Sequence, residues 1–412
     1  MQNISPADRQ TLRNLAHRQL EYANSERNLE TIRRWYAHNT GESPTARPLV
    51  HLEMWTFANE LLPQRLCCKG EKARKIETQL YRNFLNHELF ADDHPVTDCY
   101  QLEKSVRLIP FGLPVTREHA GGSVGHMFAH HIHDLEDDFA KLGAGQIVDN
   151  THKTAEEKSL LEDVFGDILP VKYVQNCLYS VPTQDLVHIM SMETMYFAMA
   201  DCPELFHQMM RMYTNDVLKF YRYLEAQNLL ETTNGAESLG QGSWCFNNEL
   251  PTTAAKTTNL WGFMDSQETV GISPAMFNEF IFPYYKEISE NYGLLSYGCC
   301  EPVHAIWNDL ATLGNLRKVS VSPWCNQEFM GEKLRDRHDK KIIFHRKPSP
   351  NYLGVDKNLD EAAIRAHIKE TLLAARGCTL EITQRDVYTI HNNEAKARRY
   401  VDIIKEEIET WW

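Results

Sequence analysis

Leu294-Leu295-Ser296-Tyr297-Gly298-Cys299-Cys300-Glu301-Pro302 decides how this chain is read. A short apolar run leads into two adjacent thiols and a carboxylate, and a proline follows at once. The run has the length of a buried strand, and Gly298 and Pro302 punctuate its end. In α/β proteins the carboxyl ends of strands are where active sites sit. Reactive groups at that position point to an α/β enzyme.

Outward from that stretch, strand-like and helical runs alternate. Upstream, strands are predicted at 102–109 and 171–178, within 229–239 and within 259–272. A long Met-rich and aromatic helix pair fills 183–227 and breaks near Asp201-Cys202-Pro203. Ser273-Pro274 starts a helix over 275–292. Downstream, strands are predicted at 316–322, closed by Pro323-Trp324, at 341–345, closed by Pro348-Ser349-Pro350, and at 378–383. Helices are predicted over 360–376 and 393–411. With 294–300 the strands number eight, most followed by a helix. This predicts a closed (β/α)8 TIM barrel over residues 91–412, with a doubly wound sheet as the competing architecture. Residues 1–90 read as a helical N-terminal extension. Its runs reach residue 36, stop at Gly41-Glu42-Ser43-Pro44, resume at 54–62 and 71–89, and end at Asp92-Asp93-His94-Pro95.

Composition narrows the class. A chain of 412 residues can bury a large core, and 42% hydrophobic with 24% charged residues is ordinary for a globular protein. Lys and Arg total 43 against 56 Asp and Glu, a formal charge of −13. No basic surplus is left to neutralise phosphates, which argues against a general nucleic-acid binder. The start Met1-Gln2-Asn3-Ile4-Ser5-Pro6-Ala7-Asp8-Arg9 is not patterned as a secretory signal, and no apolar run suggests a membrane span. Ten scattered cysteines read as reduced thiols of a cytoplasmic protein, most of them small buried apolar residues.

Several groups carry candidate chemistry. Gly121-Gly122-Ser123-Val124-Gly125-His126 is glycine-rich but lacks the Lys-Ser/Thr of a phosphate loop, so it reads as a loop without a ligand. His126 and His130 would share a helix face, with His131 and His133 beside them. No Glu stands between the first two, so they read as ordinary helix histidines. Cys67-Cys68 falls in a helix–loop region and shows that vicinal cysteines alone are a weak signal. Cys299-Cys300-Glu301 differs in its setting. Pro302 turns the chain, so both thiols can approach one centre, and zinc accepts thiolate, imidazole and carboxylate. Other predicted strand ends carry Asp265-Ser266-Gln267-Glu268, Trp324-Cys325-Asn326, His345-Arg346-Lys347 and Gln384-Arg385-Asp386. In a barrel all of them ring the C-terminal mouth. Trp244 and Phe246, with Asn247-Asn248-Glu249, suit an aromatic wall with polar tips.

Trp261-Gly262-Phe263-Met264-Asp265-Ser266-Gln267-Glu268, then Ser273-Pro274-Ala275-Met276-Phe277-Asn278-Glu279-Phe280 and Pro283-Tyr284-Tyr285, resemble the uroporphyrinogen decarboxylase-like superfamily. The likeness extends to Gly298-Cys299-Cys300-Glu301, Ser320-Val321-Ser322-Pro323-Trp324 and Arg346-Lys347-Pro348. It implies a (β/α)8 fold and one of two chemistries: cofactor-free decarboxylation of porphyrinogen acetates, or methyl transfer involving zinc and a corrinoid protein. The Arg-Gln-Ala-Gly-Arg type run of the decarboxylases is missing, and Thr31-Ile32-Arg33-Arg34 is no substitute. The methyltransferase branch carries His-x-Cys after its fifth strand and a distant Cys near the end of its eighth. Here Tyr297 or Gly298 stands in the His place, and Cys378 falls at the start of the last strand. Cys325 and His345 are nearer the mouth.

The resemblance therefore implies a cytoplasmic methyltransferase. Its substrate is a small O- or N-methylated compound, with a methoxylated aromatic favoured by Trp244. Its acceptor is the cobalamin of a partner corrinoid protein. Zinc is expected on Cys300, Cys299 and Glu301, with Cys325 as a further ligand. Gln267 and Glu268 are expected to orient the substrate, and Lys347 and Arg385 to bind its anionic group or stabilise developing charge. Asp265, Trp244, Phe246, Asn248 and Tyr297 are expected to line its site. Two alternatives stand: a metal-free decarboxylase or lyase using Asp265 and Arg385 on a tetrapyrrole or other polycarboxylate, and a non-catalytic corrinoid or tetrapyrrole binder. A homodimer is compatible with the sequence.

Overall fold

Seven parallel strands form the main sheet: β1 (Leu49–Leu52), β2 (Leu178–Tyr179), β3 (Trp261–Met264), β4 (Leu294–Tyr297), β5 (Leu316–Val321), β6 (Ile343–Arg346) and β7 (Leu380–Gln384). The structure is a computed structural model and describes residues 4–40, 46–119, 126–337 and 341–412. The strand order is β1-β7-β6-β5-β4-β3-β2. The first strand pairs with the last and the others follow chain order, as in a (β/α)8 barrel with one strand left out. Among the described residues no strand joins β1 to β2. The sheet is therefore open along one seam, and the expected closed eight-stranded barrel is not what it shows.

Two expected strands account for the difference. The 102–109 run splits into Tyr100–Glu103 and Val106–Ile109, which pair with Val171–Val174 and Gln146–Asp149 outside the main sheet. The 229–239 run gives no parallel strand. Ser238–Gly240 turns back on Ser243–Trp244 as an antiparallel hairpin. A strand also appears where only helix was expected: β1 lies within the first 90 residues and pairs in parallel with β7, Leu49 opposite Glu381 and Leu52 opposite Gln384. Helices Pro6–Ala23, Glu26–Thr40 and Glu71–Leu89 surround it in sequence. Four strand residues between such helices carry too little period to be read alone.

The sheet alternates cleanly. Leu295, Val319, Val321, Phe344, Leu380 and Ile382 face outward into one core with Ile364, Ile368, Tyr400 and Ile404 of the helices Glu361–Ala374 and Glu394–Trp411. The intervening residues face the inner side; they include the polar Lys318, Ser320, His345, Glu381 and Thr383 of β5 to β7, while Trp261, Phe263 and Leu294 of β3 and β4 form an apolar cluster there with Leu239 and Cys245. That side is occupied by the hairpin. Lys318 Nζ donates to Ser243 Oγ at 2.7 Å, and the Gly242 carbonyl lies 2.9 Å from His51 Nδ1. Gly242 has φ +76°, and a Cβ there would stand 2.5 Å from Thr383 Cγ2. Gly242→Ala should therefore strain the turn and push the hairpin off the sheet. A loss of about 1–3 kcal/mol, read as a lower denaturant midpoint, is the expected result.

Beneath the hairpin lies a buried charge network. Lys318 Nζ donates to Glu381 Oε2 at 2.8 Å, and His38 Nε2, from the helix Glu26–Thr40, lies 2.9 Å from the same oxygen. His345 Nε2 lies 2.9 Å from Thr383 Oγ1, and its Nδ1 is 3.2 Å from Glu381 Oε1. Lys318 Nζ also sits 5.3 Å above the Trp35 ring.

Elsewhere, His126–Phe128 is a strand paired with Arg117–His119, and residues 129–131 carry no helix. The four-residue spacing of His126 and His130 thus creates no shared helix face. Gly121–Gly125 and residues 41–45 lie outside the described residues. Among the described residues no helix is long and apolar enough to cross a membrane.

Candidate active site

The carboxyl ends of the strands bring together most of the polar groups expected there. After β4, Gly298 takes φ +102°, a conformation that turns the chain where a Cβ would press Ser320 and Val303. The turn brings Cys299 Sγ and Cys300 Sγ to 3.6 Å, on one side of the backbone. Glu301 pins this turn. Its two oxygens accept the backbone N–H groups of Ser266 and Cys299, at 2.9 and 2.8 Å. The Cys299 carbonyl accepts from Ser320 Oγ at 2.8 Å and from Lys347 Nζ at 3.2 Å. Lys347 Nζ also donates to Gln241 Oε1 of the hairpin turn at 2.7 Å. Arg385 Nε lies 3.1 Å from Glu53 Oε2, just after β1, and 3.4 Å from Asp386 Oδ2.

Asp265 follows β3. It is 1% exposed, and its Oδ1 has no hydrogen-bond partner. Burial, then the nearby carboxylate of Glu301, the Cys299 thiol and Glu268, push its carboxyl well above the usual range. Asp265 thus keeps its proton to a higher pH than an ordinary carboxyl does. The thiols are split. The hydrogen bond to Cys300, then burial, raise Cys299, while the same bond lowers Cys300, with Lys347 and Arg385 also favouring its thiolate. Burial lowers Lys347. Burial also works against the charge of Arg385, but Glu53 and Asp386 outweigh it and raise its pKa.

Other expected site residues lie elsewhere or face away. Glu268 accepts from Thr183 Oγ1 at 2.9 Å, and burial raises its pKa; Gln267 bonds to it, so the two brace each other behind Asp265. Tyr297 points outward into the helix-facing core, its hydroxyl 2.6 Å from Ser266 Oγ, because strand alternation puts it on the opposite face from Ser296. Phe246 is buried against Tyr36, 5.0 Å between rings. Asn248 lies with Leu294, Arg317 and Lys341 at the amino ends of the strands, opposite the mouth. Trp244 does wall a cavity of about 1130 Å³ along the open seam, with His51 and His94, and Glu53 and Gln241 close the end nearest the two cations. Glu53 and Gln241 were not foreseen. The alternation Leu49-Val50-His51-Leu52-Glu53 was the available signal for the first; the second sits in a hairpin turn that no pattern marks.

These residues do not fit a zinc centre. Both oxygens of Glu301 are committed to backbone N–H groups, and Cys325 packs in the apolar core beside the outer face of the sheet. Among the described residues no three His, Cys, Asp or Glu side chains are arranged to hold a metal ion. The expected ligand set of Cys299, Cys300, Glu301 and Cys325 is therefore not gathered around one point.

The fold is similar to that of a methyltransferase from Methanosarcina mazei. The match has a TM-score of 0.52 at 13% identity and covers 91% of this chain and 98% of that one. A putative vitamin-B12 independent methionine synthase from Listeria monocytogenes matches at a TM-score of 0.31 and 15% identity, over 64% of this chain and 72% of that one, too low to bear on the fold. No family model matches the sequence, and no curated protein does.

Proposed function

We propose that the chain is a methyltransferase that removes a methyl group from a small O- or N-methylated compound bound at the strand-end mouth, with the cobalamin of a separate corrinoid protein as acceptor. The observation that carries this reading is the setting of the mouth. Trp55, Tyr179, Val270, Trp324, Val355 and Tyr388 are each more than half exposed, and each ends a main-sheet strand or lies in a segment that follows one. Inside this rim lie the buried Asp265 carboxyl, a thiol pair and two buried cations. An enzyme serving only free small molecules needs no such apolar rim, while one that receives a partner's large cofactor does.

The residues divide the work. Lys347 and Arg385 hold the anionic group of the substrate, with Gln241 and Glu53 fixing where the cations point. Asp265 gives its proton to the heteroatom that loses the methyl group, so the departing group leaves neutral; this is general-acid help of the kind that contributes about 10²–10⁴-fold. The walls of the buried mouth exclude water from the transferring carbon. Cobalamin, when the corrinoid protein docks, supplies the acceptor. A methoxylated aromatic would lie along Trp244 in the seam cavity.

A second reading has its own support. The unpaired Asp265 Oδ1 and the partnerless Arg385 Nη1 suit a decarboxylase of a polycarboxylate. One experiment separates the two. The purified protein is given reduced corrinoid protein and a panel of methoxylated aromatics and methylated amines, and in parallel a panel of polycarboxylates. Methylated cobalamin forming only with the complete mixture is the expected outcome. Carbon dioxide released without any corrinoid protein would favour the lyase and sink the methyl-transfer reading.

A further inference from the structure

The two thiols after β4 carry an inference that does not depend on methyl transfer. Their sulfurs lie 3.6 Å apart. The backbone between them is held from both sides: the Cys299 N–H by Glu301, the Cys299 carbonyl by Ser320 and Lys347. Adjacent residues in an extended strand point to opposite faces, so this closeness is made by the turn at Gly298. A disulfide needs the sulfurs about 2.0 Å apart. Closing the remaining gap joins neighbouring residues, whose Cα atoms stand about 3.8 Å apart, closer than in an ordinary disulfide, so the bond is a readily reduced one. Cys300 is partly exposed at the mouth, while Cys299 is 8% exposed behind it. That is the arrangement of an attacking thiol with a resolving thiol at its back.

We propose that Cys299 and Cys300 form a thiol–disulfide exchange site that is closed by small disulfide compounds. In the first step the Cys300 sulfur attacks one sulfur of the compound RS–SR. A Cys300–SR bond forms, the RS–SR bond breaks, and RS⁻ leaves with the electron pair. In the second, Cys299 gives up its proton to the released thiolate and attacks the Cys300 sulfur. The Cys299–Cys300 bond forms and the second RS⁻ leaves, taking a proton from water. Two protein thiols are oxidised and one small disulfide is reduced to two thiols. The lowered pKa of Cys300 and its two cationic neighbours suit it to the first step, and the raised pKa of Cys299 keeps it protonated until the mixed disulfide has formed. Closing the ring removes the negative charge that faces Lys347 and Arg385.

The test reads mass, not turnover. The folded protein is treated with 2-hydroxyethyl disulfide, alkylated and digested with trypsin. The peptide between Lys286 and Arg317 holds Cys299 and Cys300 and no other cysteine. It is expected to lose two hydrogens, to escape alkylation, and to recover both on reduction. Cys299→Ser should instead retain one mixed disulfide on Cys300, and Cys300→Ser should leave Cys299 alkylated and unoxidised. A wild-type peptide that stays alkylated at both sulfurs, or keeps the mixed disulfide without closing, would overturn the proposal whatever the protein's activity proves to be.

Discussion

Replacing Glu381 by alanine is expected to cost about 3–5 kcal/mol, the largest single loss of stability in this chain. Glu381 is 1% exposed and Lys318 0% exposed, and each is the other's main partner. Without the carboxylate, the ammonium of Lys318 is stranded among the hairpin, Trp35 and two imidazoles. The pH dependence has a definite sign. Burial opposes the charge of Glu381, but the Lys318 ammonium outweighs it and holds its pKa well below the usual value. Its stabilisation is therefore full at neutral pH and fades only as pH falls through that low value. Burial also lowers His38 and His345. Below about pH 6.5 the unfolded chain binds protons on these rings that the native state refuses, so stability falls there first. Urea melts from pH 8 to pH 5 check both statements. A Glu381→Ala midpoint close to wild type would refute the first, and a wild-type midpoint flat across that range would refute the second. Replacing Lys318 and Glu381 together by Met and Leu should recover much of the loss, because no charge is then left unpaired.

Asp265→Asn is expected to abolish most activity while making the protein more stable. Turnover should fall by about 10²–10⁴-fold, since asparagine fills the same space but has no acidic proton to give. The stability change runs the other way. The native state keeps a proton on Asp265 that the unfolded chain releases above its ordinary carboxylate pKa. Wild-type stability therefore declines as pH rises through that window, up to the raised native value. Asparagine removes this decline, so the variant should melt higher than wild type at pH 7 and no differently at pH 3. Equal melting at both pH values would show that the acid is not held neutral. An unchanged turnover would remove Asp265 from the chemistry.

The sequence was most legible where several signals agreed. The strand-end setting of Cys299-Cys300-Glu301 and the positions of Asp265, Lys347 and Arg385 followed from apolar runs closed by Gly or Pro, and the structure places all of them after adjacent strands. The start of the helix after Ser273 and the last helix after Asn393 were readable from their caps; Ser273 Oγ and Asn393 Oδ1 accept the expected backbone N–H groups. What escaped was set by long-range pairing. β1 is four residues long and is a strand because β7 lies beside it. The 229–239 run has strand-like residues, yet two positive-φ glycines and Gln241 fold its end into a hairpin that fills the inner face. The ligand role expected of Glu301 turns on a local detail. Glu301 is spent on backbone N–H groups that hold the turn, and a carboxylate's hydrogen-bond partners cannot be seen in a sequence.

The pairing of β1 with β7 has a consequence for synthesis of the chain. Leu49–Leu52 leaves the ribosome long before its neighbour on the sheet, Leu380–Gln384. Until then His38 lacks Glu381, and the first strand has no partner on that side. The helices around β1 must wait for all the chain between the two strands, a loop closure of high sequence separation and hence a slow one. A nascent chain stopped short of residue 380 therefore carries an orphan strand and a solvent-exposed buried imidazole, the kind of fragment that chaperones hold and proteases clear.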